Sequence, residues 1–405
     1  MFPLSSKPCR QPGSGRNMPN LNSVYADYQA TTPADPRVIE KMDPYWRHAF
    51  GNPHSNNHAR GWQAEQAVRE AAASVAGLIG ADSDEIVFTS GATEANNLAL
   101  TGLARRALPG RTRILVSAIE HKCVLAAARS LASRDGFTVE EIAVDDGGFV
   151  DPDSLKKQLD SDVLLVSIMA VNNEIGTMQD MPAIAGVVAE WGIPFHCDAA
   201  QAPCAMEMGD MSAHADLVSL SGHKMYGPQG IGALFIRRQL QGQIEPLIHG
   251  GGQQNGLRSG TVPLPLCVGF GAAAQLLADG SGRKERDRIA RRRNRFVELL
   301  KSGGARVAVN GPDMPHRHPG NANLRFTGFD AQDILGALQP GLAAATGAAC
   351  TTGIPEPSHV LRAIGLSAAE CDASIRFSFG RFTSDDEIAE AAKLVMTALD
   401  GLNAG

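Results

Sequence analysis

At 405 residues the chain exceeds the size at which a single core stops growing, so two domains are expected. With 43% hydrophobic and 20% charged residues it has an ordinary globular composition, and a formal net charge of −6 speaks against a nucleic-acid-binding surface. No apolar run is long enough to span a bilayer, and seven scattered cysteines without CxxC or zinc-type spacing suit a reducing, cytoplasmic compartment and no metal site.

Residues 1–22 are rich in Pro, Ser, Gly and Asn and carry cations but no acid, which reads as a disordered tail. They lack the apolar core of a secretory signal, and their prolines argue against the amphipathic helix of a transit peptide. Residues 23–34 form a short strand or extended arm expected to join the second domain, followed by a helix near Pro36 to Trp46. The loop Phe50 to His58 is dense in turn formers; His54 and His58 sit four apart, but Pro53 and the Asn pair favour structural roles over a metal site. A helix is predicted from Gly61 to a stop at Gly80, then a strand from Glu85 to Ser90 that runs into Gly91-Ala92-Thr93-Glu94 and an Ala- and Leu-rich helix. Such a turn offers backbone N–H groups, a hydroxyl and a helix dipole to an anion, which makes Ala92 and Thr93 either a phosphate cradle or a simple N-cap. It matches neither GxGxxG nor GxxxxGK[ST].

Strands then alternate with helices: Arg113 to Ser117, Val139 to Val144, Val163 to Met169, Pro194 to Asp198 and the run ending at Ser221. This order predicts a doubly wound, mostly parallel sheet with its ligand at the C-terminal strand ends. Those ends carry Glu120-His121, Asn172-Asn173-Glu174, Asp198 with Gln201, and Ser221-Gly222-His223-Lys224. A lysine in such a polar, Gly-rich turn is placed where partial desolvation lowers its pKa, as a Schiff-base nucleophile requires. Gln243 to Pro265 is glycine-rich and too long for an ordinary connection, which marks it as functional. From about Ala272 a long Ala- and Arg-rich helix is predicted; its Arg283 to Arg295 stretch, interleaved with Glu285 and Asp287, reads as a solvated face that leaves only a local RNA contact open. The expected division is a large domain over 35–281 and a smaller α+β domain over 282–405, the latter holding a Gly- and Ala-rich loop around Cys350 and an alternating strand with Arg376.

A pyridoxal phosphate ring would find its requirements at these strand ends: an acid for the ring nitrogen at Asp198, a phosphate turn at Ala92 and Thr93, a ring-face imidazole at His121 and a donor to the ring oxygen at Gln201. Taken singly, Asp198 could be an N-cap, His121 a core histidine and Gln201 a surface amide; their joint placement favours the cofactor. The chain resembles the cysteine desulfurases of the NifS/IscS type, pyridoxal-phosphate enzymes of fold type I in the class V aminotransferase group. The likeness runs from about Tyr25 to Leu402 and rests on Phe50-Gly51-Asn52-Pro53, Thr89-Ser90-Gly91-Ala92-Thr93-Glu94, Glu120-His121-Lys122, Val171-Asn172-Asn173-Glu174-Ile175-Gly176, Ser221-Gly222-His223-Lys224, Arg258-Ser259-Gly260-Thr261 and Ser374-Ile375-Arg376-Phe377-Ser378.

The resemblance implies a large domain with a mostly parallel seven-stranded sheet and a homodimer that converts L-cysteine to L-alanine, taking the sulfur as an enzyme persulfide. It implies that Lys224 holds the cofactor and moves the Cα proton, Asp198 pairs with the ring nitrogen, Gln201 with the phenolic oxygen, and His121 stacks and acts as acid/base. Ala92, Thr93, Ser221 and His223 would bind the phosphate, with Thr261 reaching it from the other subunit. Asn173 and Arg376 would orient the substrate, and Cys350 would attack its sulfur, with transient contact to an iron–sulfur cluster at most. The acceptor would be an iron–sulfur scaffold or a thiolation enzyme, since the Cys350 to His359 segment has the length of the longer-loop desulfurases. Two departures stand out: the chain stops at Gly405 where housekeeping members continue into a scaffold-docking tail, and Ala345 to Ala349 carries alanines where serines are commoner. Selenocysteine lyase or aminotransferase chemistry on the same fold, and a non-catalytic sulfur-carrier subunit, are the competing expectations. Cys123, Cys197 and Cys267 are expected in apolar or strand-like settings and Cys9 in the tail, with Cys371 unassigned.

Overall fold

The central feature is a twisted sheet whose strand ends converge on one cavity. It is seen in a computed structural model that describes residues 23–347 and 357–403; the 1–22 tail, Cys350 and the chain end at Gly405 lie outside the described residues. In chain order the elements are β1 (Val24–Tyr25), α1 (Pro36–Arg47), α2 (Ala59–Ile79), β2 (Ile86–Thr89), α3 (Ala92–Ala104), β3 (Arg113–Ser117), α4 (Lys122–Asp135), β4 (Thr138–Ile142), α5 (Pro152–Lys156), β5 (Val163–Ser167), α6 (Met181–Ala189), β6 (Phe195–Asp198), α7 (Met211–His214), β7 (Leu217–Ser221) and β8 (Gly232–Ile236). There follow α8 (Leu264–Ala278), α9 (Gly282–Ser302), β9 (Val307–Val309), β10 (Asn321–Phe326), α10 (Ala331–Ala337), β11 (Leu342–Ala343), α11 (His359–Ala363), α12 (Ala368–Asp372), β12 (Ser374–Ser378) and α13 (Asp385–Asn403).

The sheet runs in the order β2-β8-β7-β6-β5-β3-β4. β8 alone is antiparallel to its neighbours β2 and β7, so the sheet is mostly parallel, as the alternation of strands and helices requires. Its strands β5, β7 and β8 are buried along their whole length, which is why they read as continuous apolar runs. The exposed edge at β2 is closed by a side chain from the long connection after β8: Gln254 accepts from the Phe88 N–H at 2.7 Å and donates to the Phe88 carbonyl at 2.9 Å. The Gln243 to Pro265 stretch thus has a structural task as well.

A second sheet, β12-β10-β9, lies with α9 and α13 around Phe296, Phe326, Phe377 and Ile388. Val24 and Ala26 belong to this core, because β1 pairs in parallel with β11. The single long helix expected from Ala272 is two helices. Gly280 adopts a left-handed φ of 80°, and Asp279 accepts from both the N–H and the hydroxyl of Ser281, so the chain breaks there and α8 packs on α1 and α2. The solvated reading of Arg283 to Arg295 also needs correction at Arg293, which is 1% exposed and donates to the carbonyls of His318 and Asn321. It lies on the same face as Ile289, Phe296 and Leu300, so its guanidinium serves as a polar clamp inside the core.

Candidate active site

A cavity of about 680 Å³ opens at the C-terminal ends of β2, β3, β6 and β7. It is lined by Ala92, Thr93, His121, Asn173, Asp198, Gln201, Ser221, His223, Lys224 and Arg376, so all of these predicted residues meet. Thr261 is exposed and does not line the cavity of its own chain. Cys350 falls outside the described residues, but the ends of its segment do not: Gly347 and His359 both line the cavity, and Ala345 bridges to Arg376.

Lys224 closes a single 3-10 turn, Gly222–Lys224, directly after β7. Its Nζ donates to the carbonyls of Gln29 and Ala30 at 2.5 and 2.6 Å. Burial, reinforced by the Arg376 charge, pulls its pKa down to about 8. The turn is held from behind by Tyr226, a buried residue with a left-handed φ of 62°, a conformation costly for a side chain of that size. Three contacts fix it: Thr32 Oγ1 accepts its N–H at 2.9 Å, its hydroxyl accepts from the Arg381 N–H at 2.6 Å, and the Arg381 guanidinium stacks 4.2 Å above its ring. Arg381 is itself paired with Asp35 and Glu285 at 2.8 and 2.9 Å. No local pattern marks this assembly, since its members lie far apart in sequence.

The other strand ends supply charge and donors. Asp198 accepts from Asn96 Nδ2 at 2.7 Å and from the Ala200 N–H at 2.9 Å, and is 3% exposed. The first turn of α3 follows Gly91, whose lack of a side chain leaves it without a cap; Thr93 is therefore not the N-cap, and the cradle reading of that turn is the one its geometry suits. His223 Nδ1 lies 3.0 Å from Thr31 Oγ1, and burial lowers its pKa to about 4, so it is a neutral partner. Gln201 Nε2 donates to the Gln29 carbonyl at 2.9 Å. Arg376 donates to the Asn173 carbonyl at 2.8 Å and to Asp27 at 2.7 Å, while its Nε is buried without a partner among the described residues.

His121 is the N-cap of α4, with Nδ1 accepting from the Cys123 N–H at 3.2 Å. Its ring is accessible from the cavity and enclosed elsewhere, and that partial desolvation holds the imidazole below its usual range. Glu120, just before it, is fully buried; one carboxylate oxygen accepts from the Met169 N–H, and burial pushes it well above the carboxylate range. Cys123 corrects the expectation of an apolar setting: it lines the cavity, within 3.0 Å of His121 Nδ1 and 3.2 Å of Asn96 Nδ2. Neither Asn96 nor Cys123 was read from the sequence as a site residue, and Asn96 sits beside Asn97 on α3 with nothing to mark it apart.

The "Aminotransferase class-V" family matches residues 24–390. The cysteine desulfurase IscS of Rickettsia felis is 44% identical over 386 residues, covering 95% of this chain and 93% of its own, and that of Rickettsia prowazekii is 45% identical over 379 residues, covering 94% and 92%. Among solved structures, a NifS-like protein superimposes with a TM-score of 0.86 at 32% identity, covering 93% of this chain and 99% of its own. SspA in complex with cysteine gives 0.77 at 36% identity, covering 89% and 100%. Its doubly wound sheet, its desolvated strand-end lysine and these likenesses place the chain in the class-V aminotransferase family of pyridoxal-phosphate-dependent enzymes, among the cysteine desulfurases.

Proposed function

We propose that this protein uses pyridoxal phosphate to take sulfur from L-cysteine, leaving L-alanine, and holds that sulfur as a persulfide on Cys350 for delivery to an acceptor protein. The observation that carries the reading is the Lys224 amine: with a pKa near 8 and a cavity in front of it, it is far more often neutral than a surface lysine. The residues present fit the cofactor. The uncapped first turn of α3, with Ser221 and His223, suits a phosphate; Asp198, fixed by Asn96, suits a protonated ring nitrogen; Lys224 suits the carbonyl carbon. When bound, the group supplies the electron sink that lets bonds at the substrate Cα and Cβ break.

The chain's own groups do the rest. Arg376, with a free Nε, can fork onto the substrate carboxylate beside Asn173. Lys224 returns a proton to carbon after the sulfur has left. The Cys350 thiolate forms an S–S bond to the substrate sulfur as the C–S bond breaks, so cysteine and an enzyme thiol yield alanine and an enzyme persulfide with no outside oxidant. The free thiols at Cys123, Cys197, Cys204, Cys267 and Cys371 agree with a reducing cytoplasmic setting, and no helix among the described residues is long and apolar enough to cross a membrane. We read Thr261, exposed in the loop just before α8, as completing the phosphate site of a second subunit in a homodimer.

The test is alanine release from L-cysteine and from L-selenocysteine, with persulfide trapping on the protein. Cys350→Ser is expected to abolish the trapped persulfide and cysteine turnover while leaving cofactor colour intact, and Lys224→Ala to change the colour. Full cysteine turnover in Cys350→Ser refutes the persulfide role.

A further inference from the structure

Four polar groups, His121, Cys123, Asn96 and Asp198, are joined in one hydrogen-bonded chain. Because His121 Nδ1 accepts the Cys123 N–H, it carries no proton, and the neutral ring must hold its proton on Nε2. Cys123 Sγ lies 3.0 Å from the same nitrogen. That nitrogen has no hydrogen to give, so within this pair the thiol is the donor, sharing the one Nδ1 lone pair with the Cys123 N–H, while the Thr93 side chain is a further hydrogen-bond partner of Cys123. The sulfur in turn accepts from Asn96 Nδ2 at 3.2 Å, and the same amide nitrogen donates to Asp198 at 2.7 Å. The amide's orientation is fixed chemically, since a carboxylate only accepts. Asn96 is fully buried in α3, which leaves it no freedom to turn away.

We propose that Cys123 is a positioning residue that holds His121 in its neutral, Nε2–H form and, through Asn96, ties that form to the Asp198 carboxylate. Protonating Nδ1 would break both the helix cap and the thiol bond. The charged surroundings are mixed. Asp198 and Glu174 favour a proton on His121, whereas Lys224 and His359 oppose it. His359 donates from Nε2 to the Glu120 carbonyl at 2.9 Å, and the Glu120 carboxyl is buried behind the strand end. With opposing charges on both sides, the local hydrogen bonds decide the tautomer. Burial pushes the Cys123 thiol up to about 11, so it stays a donor throughout the neutral range. Asp198, the ring-nitrogen acid, and His121, the ring-face base, would then answer to one another across 77 residues of sequence, and a proton on one bears on the other. Only the kinetic part of this idea rests on the desulfurase reading.

The test uses the full chain with cofactor bound and histidine labelled with ¹⁵N, the His121 signals being identified by their loss in His121→Gln. Native protein should show His121 protonated on Nε2 and bare on Nδ1. Cys123→Ala should bind the His121 proton about threefold or more tightly, a midpoint higher by about half a pH unit, and the acid limb of kcat should move with it. Cys123→Ser, which keeps a donor, should stay close to native. Nδ1 protonated in the native chain, or an unmoved midpoint in Cys123→Ala, overturns the proposal. A moved midpoint in a protein that releases no alanine from cysteine would leave Cys123 as the tautomer-setting group and refute the desulfurase reading instead.

Discussion

The desolvation of Lys224 makes a quantitative statement about folding. Its pKa falls from an ordinary 10.5 to about 8 in the folded chain, so between those values the unfolded state binds the extra proton. Stability therefore rises with pH through that window, the reverse of what a lysine gaining an acidic partner would give. At about 1.4 kcal/mol per pH unit, the amine costs the folded state about 3 kcal/mol at neutral pH, and about 2.5 kcal/mol of this is relieved between pH 7 and pH 10. The comparison is with Lys224→Met. Removing the amine leaves the Gln29 carbonyl its bond from Gln201 and the Ala30 carbonyl to solvent, so the variant keeps a satisfied backbone. Urea unfolding of the cofactor-free chains at half-unit pH steps should show the native-minus-variant stability flat below pH 7 and climbing above it. A difference that stays constant from pH 7 to pH 10 would refute the desolvated amine and, with it, the reason for placing the nucleophile in this turn.

Arg381→Met should cost about 3 kcal/mol in urea unfolding, because it strips a charge partner from Asp35, which is 1% exposed, and the stacking cation from Tyr226; adding Asp35→Asn should restore part of that loss, and a cost below about 1 kcal/mol would show the cluster to be slack. Arg376→Lys should raise the KM for L-cysteine about 10- to 100-fold with a smaller change in kcat, since a point charge cannot replace a fork that also holds Asp27 and the Asn173 carbonyl; steady-state alanine formation reads both.

The strand ends were legible because each buried strand is an apolar run broken abruptly by a polar group, and parallel topology brings such ends together whatever the details of the loops. Lys224, Asp198 and His121 were found that way. Arg293 was misread as part of a solvated face although the signal was there: on α9 it falls on the stripe of Ile289, Phe296 and Leu300, and periodicity outranks the charge of the side chain. The break at Asp279 to Ser281 is a Gly-centred stop of the kind that ends helices elsewhere in the chain. The link between Asn96, Cys123 and Asp198 was not legible. It joins α3, α4 and β6 through side chains whose rotamers depend on packing, and in sequence Cys123 is one small residue early in a helix. Tyr226 was hidden for a different reason, since nothing in the run Met225-Tyr226-Gly227 announces that the aromatic residue, rather than the glycine beside it, takes the left-handed φ.

Three unfavourable features gather around one turn. Lys224 is held short of its charge, His223 is kept neutral, and Tyr226 sits in a backbone conformation its side chain disfavours, all within four residues. Each alone would relax if the turn were free to shift outward. It is not free, because Arg381, from the loop after β12, pins the Tyr226 hydroxyl and ring while its own charge is answered by Asp35 at the start of α1 and Glu285 on α9. The loop that follows the Arg376 strand therefore also holds the turn that carries Lys224. On the roles proposed for Arg376 and Lys224, substrate recognition and amine activation share a single support, and loosening Arg381 should let Lys224 regain solvent and an ordinary pKa even though no atom of Arg381 lines the cavity.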